Sequence, residues 1–458
     1  MKILIRFCLA LSILLGLRPC FSQYAENENA AFQKAQKMQR PVLLVFSGSD
    51  WCLPCIRLHK QIISDSSFRQ FAEEKLVMLN ADFPQTKKLS KELQQENERL
   101  AEKYNPDGKF PCLVLFNPDH SVIANVPYEN QTTAAFTGTL KELFKKGNYT
   151  RTFYATEHLM GSEFEFTFVD TNNAHGWEMM RKSIAEVKRI EYLISEWIDT
   201  TQVSRLNKTA GSGPQQVDCE LYDLIQRSLE VSKITQGAFD ISFLGAGRLW
   251  KFDGSMKNLP DSSAVKAAVA NVGYEKIKLT DSCRVALMSA ETKIGFGGNG
   301  QGYAADMVKK LLVKNGITSG LLNFTGDIAA WGSQPDGSDW KVGIGSPEDR
   351  NKMLLWLPLK DACITTSGNY EKFVILNGVR YSHIIDPRTG YPARGVKSVS
   401  VISPSTELSD ALDTGIFVLG VEKGLNLVNQ LPGVSCIIVD EENKVHYSKN
   451  LAAPKGDN

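Results

Sequence analysis

The chain has 458 residues, 43 % of them hydrophobic and 22 % charged, with a formal net charge of +1. That length allows two or three domains, each large enough to bury a core. The composition excludes a strongly basic nucleic-acid binder and an acidic disordered chain, so no nucleic-acid partner is expected.

Lys2 and Arg6 precede the apolar stretch Phe7 to Leu17, and small or polar residues follow at Cys20-Phe21-Ser22-Gln23. This is the pattern of a signal peptide over residues 1–22, cleaved near Ser22. The apolar core is short for a membrane span, and no later run offers about 20 uninterrupted apolar residues. The expectation is an exported, periplasmic protein. Cys20 raises the rival of a lipid-anchored N-terminus, against which Leu17-Arg18-Pro19 puts a charge and a proline where a lipobox wants small residues. Of the nine cysteines, Cys8 and Cys20 lie in or beside this segment and only Cys52 and Cys55 are close together. A single redox pair is expected rather than a disulfide-dense scaffold.

Apolar residues recur at helical spacing from Glu26 to Met38, and Pro41 to Phe46 is an apolar, β-branched run suited to a buried strand. The segment Ser47-Gly48-Ser49-Asp50-Trp51-Cys52-Leu53-Pro54-Cys55 then opens a second helical pattern. Further strands are expected at Leu76 to Ala81 and Cys112 to Phe116, with a charged helix from Lys88 to Lys103 between them. The alternation predicts an α/β domain over residues 23–148. At the start of a helix the thiolate of Cys52 is stabilised and becomes the attacking thiol, with Cys55 to resolve the mixed disulfide. Trp51, Pro54 and the Phe110-Pro111 pair ahead of a strand make residues 24 to 145 similar to thioredoxin. A structural disulfide, or a zinc half-site completed by Cys112 and His59, is the alternative. Leu53, where the common motif has glycine, leaves the redox direction open.

Beyond a basic break at Lys145 to Tyr149 the pattern changes. Long helices are expected around Trp177 to Trp197 and Glu220 to Thr235, with strands at Gly320 to Phe324, Trp340 to Ile344 and Ser398 to Ile402. Their grouping predicts an α+β domain over residues 152–450. Gly297, Gly298, Gly300 and Gly302 would let the backbone approach a ligand before a helix near Tyr303. Asp410, Asp413 and Thr414 fall on one helical face and offer hard oxygen ligands suited to magnesium, or else form a solvated face. Val379 to Ile385 alternates like a strand, and Asp386-Pro387-Arg388-Thr389-Gly390 turns it, leaving His383 beside the turn.

Seven ordered blocks carry a resemblance: Met160-Gly161-Ser162; Ser195-Glu196-Trp197 with Ser204-Arg205-Leu206-Asn207; Gly237-Ala238-Phe239-Asp240-Ile241; Gly297 to Asp306; Thr366-Ser367-Gly368-Asn369-Tyr370; Arg380 to Gly390; and Asp410-Ala411-Leu412-Asp413-Thr414. Residues 152 to 448 resemble the ApbE-type FAD:protein FMN transferases. The resemblance implies Mg2+-dependent transfer of FMN from FAD to a Thr or Ser hydroxyl of an exported acceptor protein, with release of AMP. It implies His383 as the base. It also implies Met160, Trp197, Ala238, Phe239, Asp240, Gly297, Tyr303 and Ile384 as FAD contacts, and the Gly300 carbonyl, Asp410, Asp413 and Thr414 as metal ligands. Ordinary core packing is the competing reading for Ala238 and Phe239. Membrane association through the acceptor or a lipid anchor is compatible with this reading. An FAD pyrophosphatase, an FAD-binding protein, or chiefly a thiol-disulfide oxidoreductase are the alternative functions. Two departures stand out: the family's aspartate two residues before the double glycine is Gly295, and its lysine is Gln301. A Gly-Gly-Asp block is likewise replaced by Thr325-Gly326-Asp327.

Overall fold

The structure is a computed structural model that describes residues 24–147, 149–347 and 352–451. The signal segment expected over 1–22 lies outside the described residues. The chain divides into two compact units between Tyr149 and Thr150.

The first unit is a four-stranded sheet in the order Val77–Asp82, Val42–Ser47, Cys112–Phe116, Val122–Asn125. The first pair is parallel and the other two are antiparallel. Residues 42–46 are all buried, which is why this segment reads as a continuous apolar run instead of an alternation. One face carries a core with Leu43, Phe68 and Phe136; the other packs Phe32, Leu44 and Leu100. Helices on both faces are thus the physical reason for the α/β alternation. Asn27 accepts from the N–H of Ala30 and starts the helix Glu28–Met38, two residues later than the apolar spacing suggested.

The second unit is an eight-stranded antiparallel sheet. Its order is Val445–Tyr447, Ser435–Asp440, Val396–Ser403, Cys363–Gly368, Asp327–Trp331, Gly320–Phe324, Ser162–Asp170, Arg151–Leu159. Phe164, Phe166 and Phe168 alternate along one strand and are fully buried, each contributing about 2 kcal/mol or more of apolar transfer. Their core is closed by the helices Asn173–Ile194, Gly300–Lys314 and Thr406–Val428. The hairpin Trp340–Gly345 with Met353–Leu359 forms a smaller core with Ala330, Ile364 and Ile437. Among the described residues no helix is long and apolar enough to cross a membrane.

Two local differences from the sequence pattern bear on the site. The strand expected to continue through Ile385 ends at Ser382, and His383 and Ile384 form a break before the short pairing Ile385–Asp386 with Tyr391–Pro392. The unit also contains a disulfide between Cys219 and Cys283, 64 residues apart, which a reading of close-spaced cysteines does not reveal. Wide separation hides such a pair from spacing arguments, because the tertiary fold sets the meeting of Cys219 at a helix start and Cys283 at a hairpin tip.

Candidate active site

Two helices meet at the glycine block. Gly300–Lys314 begins with Gly300, and a Cβ on Gly302 would lie 2.5 Å from the Thr406 carbonyl oxygen and 2.9 Å from Asp410 Cβ. Only glycine allows this approach. At the same contact the N–H of Gly302 donates to Asp410 Oδ2 at 3.0 Å. One turn further, Asp306 accepts from Ser405 Oγ and from the N–H groups of Thr406 and Glu407, holding the start of the helix that carries Asp410, Asp413 and Thr414. The glycine-rich segment therefore works as a packing joint that fixes carboxylates.

Asp410 and Asp413 are buried, and Asp327 joins them from the neighbouring sheet; one carboxylate oxygen from each lies within 4.8 Å of the others. Ser367 Oγ donates to Asp413 at 2.9 Å. Burial pushes the Asp410 carboxyl up to about 7, with Glu407 and Asp306 adding to the rise and the Gly302 N–H and Asp327 opposing it. Burial, then the charges of Asp410 and Asp413, hold Asp327 well above the usual carboxylate range, and burial followed by Asp410 does the same for Asp413. Three buried acidic groups with hard oxygen donors and no ion-paired Lys or Arg among the described residues suit a divalent cation of the magnesium type. Asp327 escaped the sequence reading, which saw it only inside an altered block. Its signal was an aspartate two residues after Thr325, which sits at φ +61°, in a tight turn between two strands.

A cavity beside this cluster is lined by Ala238, Phe239, Asp240, Gly295, Gly297, Gly298, His383, Ile384 and Thr414. His383 is anchored twice to Lys372: its backbone N–H donates to the carbonyl at 2.9 Å, and Nδ1 lies 3.1 Å from the same oxygen. A carbonyl only accepts, so Nδ1 carries the proton and Nε2 is left as the acceptor. Burial lowers the pKa of His383, keeping the ring neutral at ordinary pH. A neutral imidazole with a free Nε2 can take a proton from a hydroxyl.

The remaining sequence candidates separate. Asp240 lines the cavity, but its carboxylate is occupied by Ser242 N, Ser242 Oγ and Tyr274 N, so it braces the Gly237 to Asp240 loop. Tyr303 does not line this cavity; its buried ring sits under Arg227 and its hydroxyl bonds Glu220 at 2.6 Å. Met160 lies at the hairpin turn beside Gly300, and Trp197 is exposed with the Arg248 guanidinium 5.8 Å from its ring centroid. In the first unit Cys52 and Cys55 form a disulfide at the start of the helix Leu53–Leu58. Trp51 packs edge-on against Phe110, and the Phe110-Pro111 bond is cis.

Comparison with known proteins follows this division. A thioredoxin-like family model matches residues 24–118, and the model of the ApbE family matches residues 160–438. The FAD:protein FMN transferase of Treponema pallidum is 32 % identical over 277 residues, covering 57 % of this chain and 76 % of that protein. The protein of that name from Klebsiella pneumoniae is 30 % identical over 289 residues, covering 62 % and 83 %. The crystal structure of the ApbE protein of Thermotoga maritima superposes with a TM-score of 0.61 at 28 % identity, over 66 % of this chain and 98 % of that one. With the family's pattern running through most of the second unit and a thioredoxin-like domain ahead of it, the chain belongs to the ApbE family.

Proposed function

We propose that the second unit transfers FMN from FAD to a threonine or serine hydroxyl of an exported acceptor protein. The observation that carries this reading is the His383 cavity: a neutral base with Nε2 free shares one wall with Thr414 and the glycine block, beside three buried carboxylates. His383 takes the acceptor's hydroxyl proton, the oxygen attacks the FMN-side phosphorus of FAD, and the P–O bond to AMP breaks. The acceptor then carries FMN in phosphoester linkage. Asp327, Asp410 and Asp413, with Thr414 and the Gly300 carbonyl, would hold magnesium. When bound, that ion supplies the charge neutralisation on which phosphoryl transfer chiefly depends. The buried helix joint at Gly302 keeps those oxygens fixed before substrate arrives.

Incubating the protein with FAD, magnesium and candidate exported acceptors, followed by mass spectrometry of the acceptors, tests this reading. Addition of one FMN mass supports it. Free FMN and AMP without a labelled acceptor would instead point to a pyrophosphatase, and FAD binding with neither product to a binding protein. A second activity is favoured by the first unit, where Cys52, paired with Cys55, caps the helix Leu53–Leu58. It acts on thiols and disulfides with Cys52 as the attacking sulfur. Reduction of a disulfide substrate, or oxidation of a dithiol one, that survives Cys52→Ser would overturn this. The proposed location is periplasmic, on the strength of the charged and apolar residues 1–22; retention of a tagged chain in the cytoplasm would refute it.

A further inference from the structure

Gly295 lines the His383 cavity, and the space beside its Cα is taken. A Cβ built there would lie 3.1 Å from Glu196 Oε1 and 3.2 Å from the Glu196 carboxyl carbon. The carboxylate thus stands where a side chain at 295 would begin, reaching in from the turn that follows the helix Asn173–Ile194. That turn is fixed: Ser195 Oγ accepts from the N–H of Trp197 at 3.1 Å, and the Ser195 carbonyl accepts from Thr201 Oγ1 at 2.6 Å.

Glu196 brings carboxylate oxygens, each able to accept more than one hydrogen bond, up against Gly295. It is largely buried, and burial raises its pKa, while a backbone hydrogen bond, the charge of Arg248 and a hydrogen bond from the Trp197 side chain pull the other way. Among the described residues it forms no ion pair. Trp197 next to it is 77 % exposed, and Arg248 lies over that ring. Behind the cavity wall at Gly295, the Glu196 carboxylate, the exposed Trp197 indole and the Arg248 guanidinium form a group complementary to a planar ring bearing N–H donors and joined to phosphate.

We propose that Glu196 is a binding and specificity residue of the dinucleotide site, its carboxylate accepting a hydrogen bond from an N–H of a ring system of FAD. The proposal rests on the flavin transferase reading. Both the adenine amino group and the flavin imide offer this chemistry.

The test measures the Kd of the full chain for FAD, FMN and ADP by titration calorimetry, for wild type, Glu196→Ala, Glu196→Gln, Gly295→Asp and the double variant Glu196→Ala with Gly295→Asp. Loss of a hydrogen bond to a charged group should weaken FAD binding about tenfold or more in Glu196→Ala, and less in Glu196→Gln, which keeps an acceptor. The same loss for ADP assigns the adenine ring; for FMN, the flavin ring. Gly295→Asp alone should also weaken FAD, because its side chain and Glu196 compete for one space, and the double variant should recover much of the affinity. Unchanged affinity for all three ligands in Glu196→Ala would overturn the proposal. So would a double variant no better than Glu196→Ala, since a general packing defect would not be repaired by a carboxylate from the opposite side. If wild type binds no FAD, the flavin transferase reading fails and takes this inference with it; if wild type binds and Glu196→Ala binds equally, only this inference fails.

Discussion

Replacing Asp327 with asparagine should stabilise the second unit in the absence of magnesium and blunt its response to the ion. Each pair in the triad has carboxylate oxygens within 4.8 Å, which at an effective dielectric of about 20 corresponds to roughly 3 kcal/mol of repulsion per ionised pair. The groups relieve part of this by retaining protons, so the net gain from removing one of them is of order 2 to 4 kcal/mol at pH 8 without divalent cations. In a unit of this size that raises the Tm by about 4 to 8 °C. The sign follows from the raised folded-state pKa of Asp327. Well below pH 3.8 the carboxyl is protonated whether folded or unfolded, and little stability is lost. As pH rises above the unfolded value the penalty grows, up to the folded value, so the advantage of Asp327→Asn should shrink on acidification. Magnesium at about 100 times its Kd should stabilise wild type by roughly 2.7 kcal/mol, or about 5 °C, and stabilise Asp327→Asn far less. The assay is scanning calorimetry of the 150–458 transition at pH 5 and pH 8, with EDTA or magnesium. A wild-type magnesium shift in Asp327→Asn would refute the assignment of Asp327 to the cation site.

Further outcomes follow from the same geometry. His383→Ala should lower transfer by about 10² to 10⁴-fold while FAD binding persists, as read by acceptor mass spectrometry and calorimetry. Because burial depresses the His383 pKa, the neutral base persists as pH falls below 6.5 and is lost only on passing the lower folded value; an acid limb of kcat/KM above 6.5 would contradict its role as the base. Gly302→Ala should destabilise the second unit by about 1 to 3 kcal/mol, since its Cβ would meet the Thr406 carbonyl, and should weaken magnesium binding by displacing Asp410. Cys283→Ser should lower stability by about 4 kcal/mol if loop closure over the 64-residue separation dominates; an unchanged denaturation midpoint would show otherwise.

Much of the architecture is legible locally. The apolar run at 42–46, the strand at 398–402 and the spacing of Asp410, Asp413 and Thr414 each encode an element through residues only a few positions apart. The order of the motifs likewise identified the family and placed His383 beside its turn. Cys52 and Cys55 were equally plain, because a dithiol at a helix start needs only three residues of separation.

Tertiary packing decided the rest. Asp327 enters the cluster because its strand lies against the helix bearing Asp410 and Asp413, a meeting over more than 80 residues that no periodicity records. Tyr303 bonds Glu220 across 83 residues, a partner that no local pattern names. Gly295, which in sequence is only a departure from the family pattern, is in space the gap that Glu196 fills from 99 residues away. The sequence by itself determined the elements and the chemical inventory, since those depend on neighbouring residues. Which carboxylates share a site was left to the fold, since only packing brings distant side chains within ångströms.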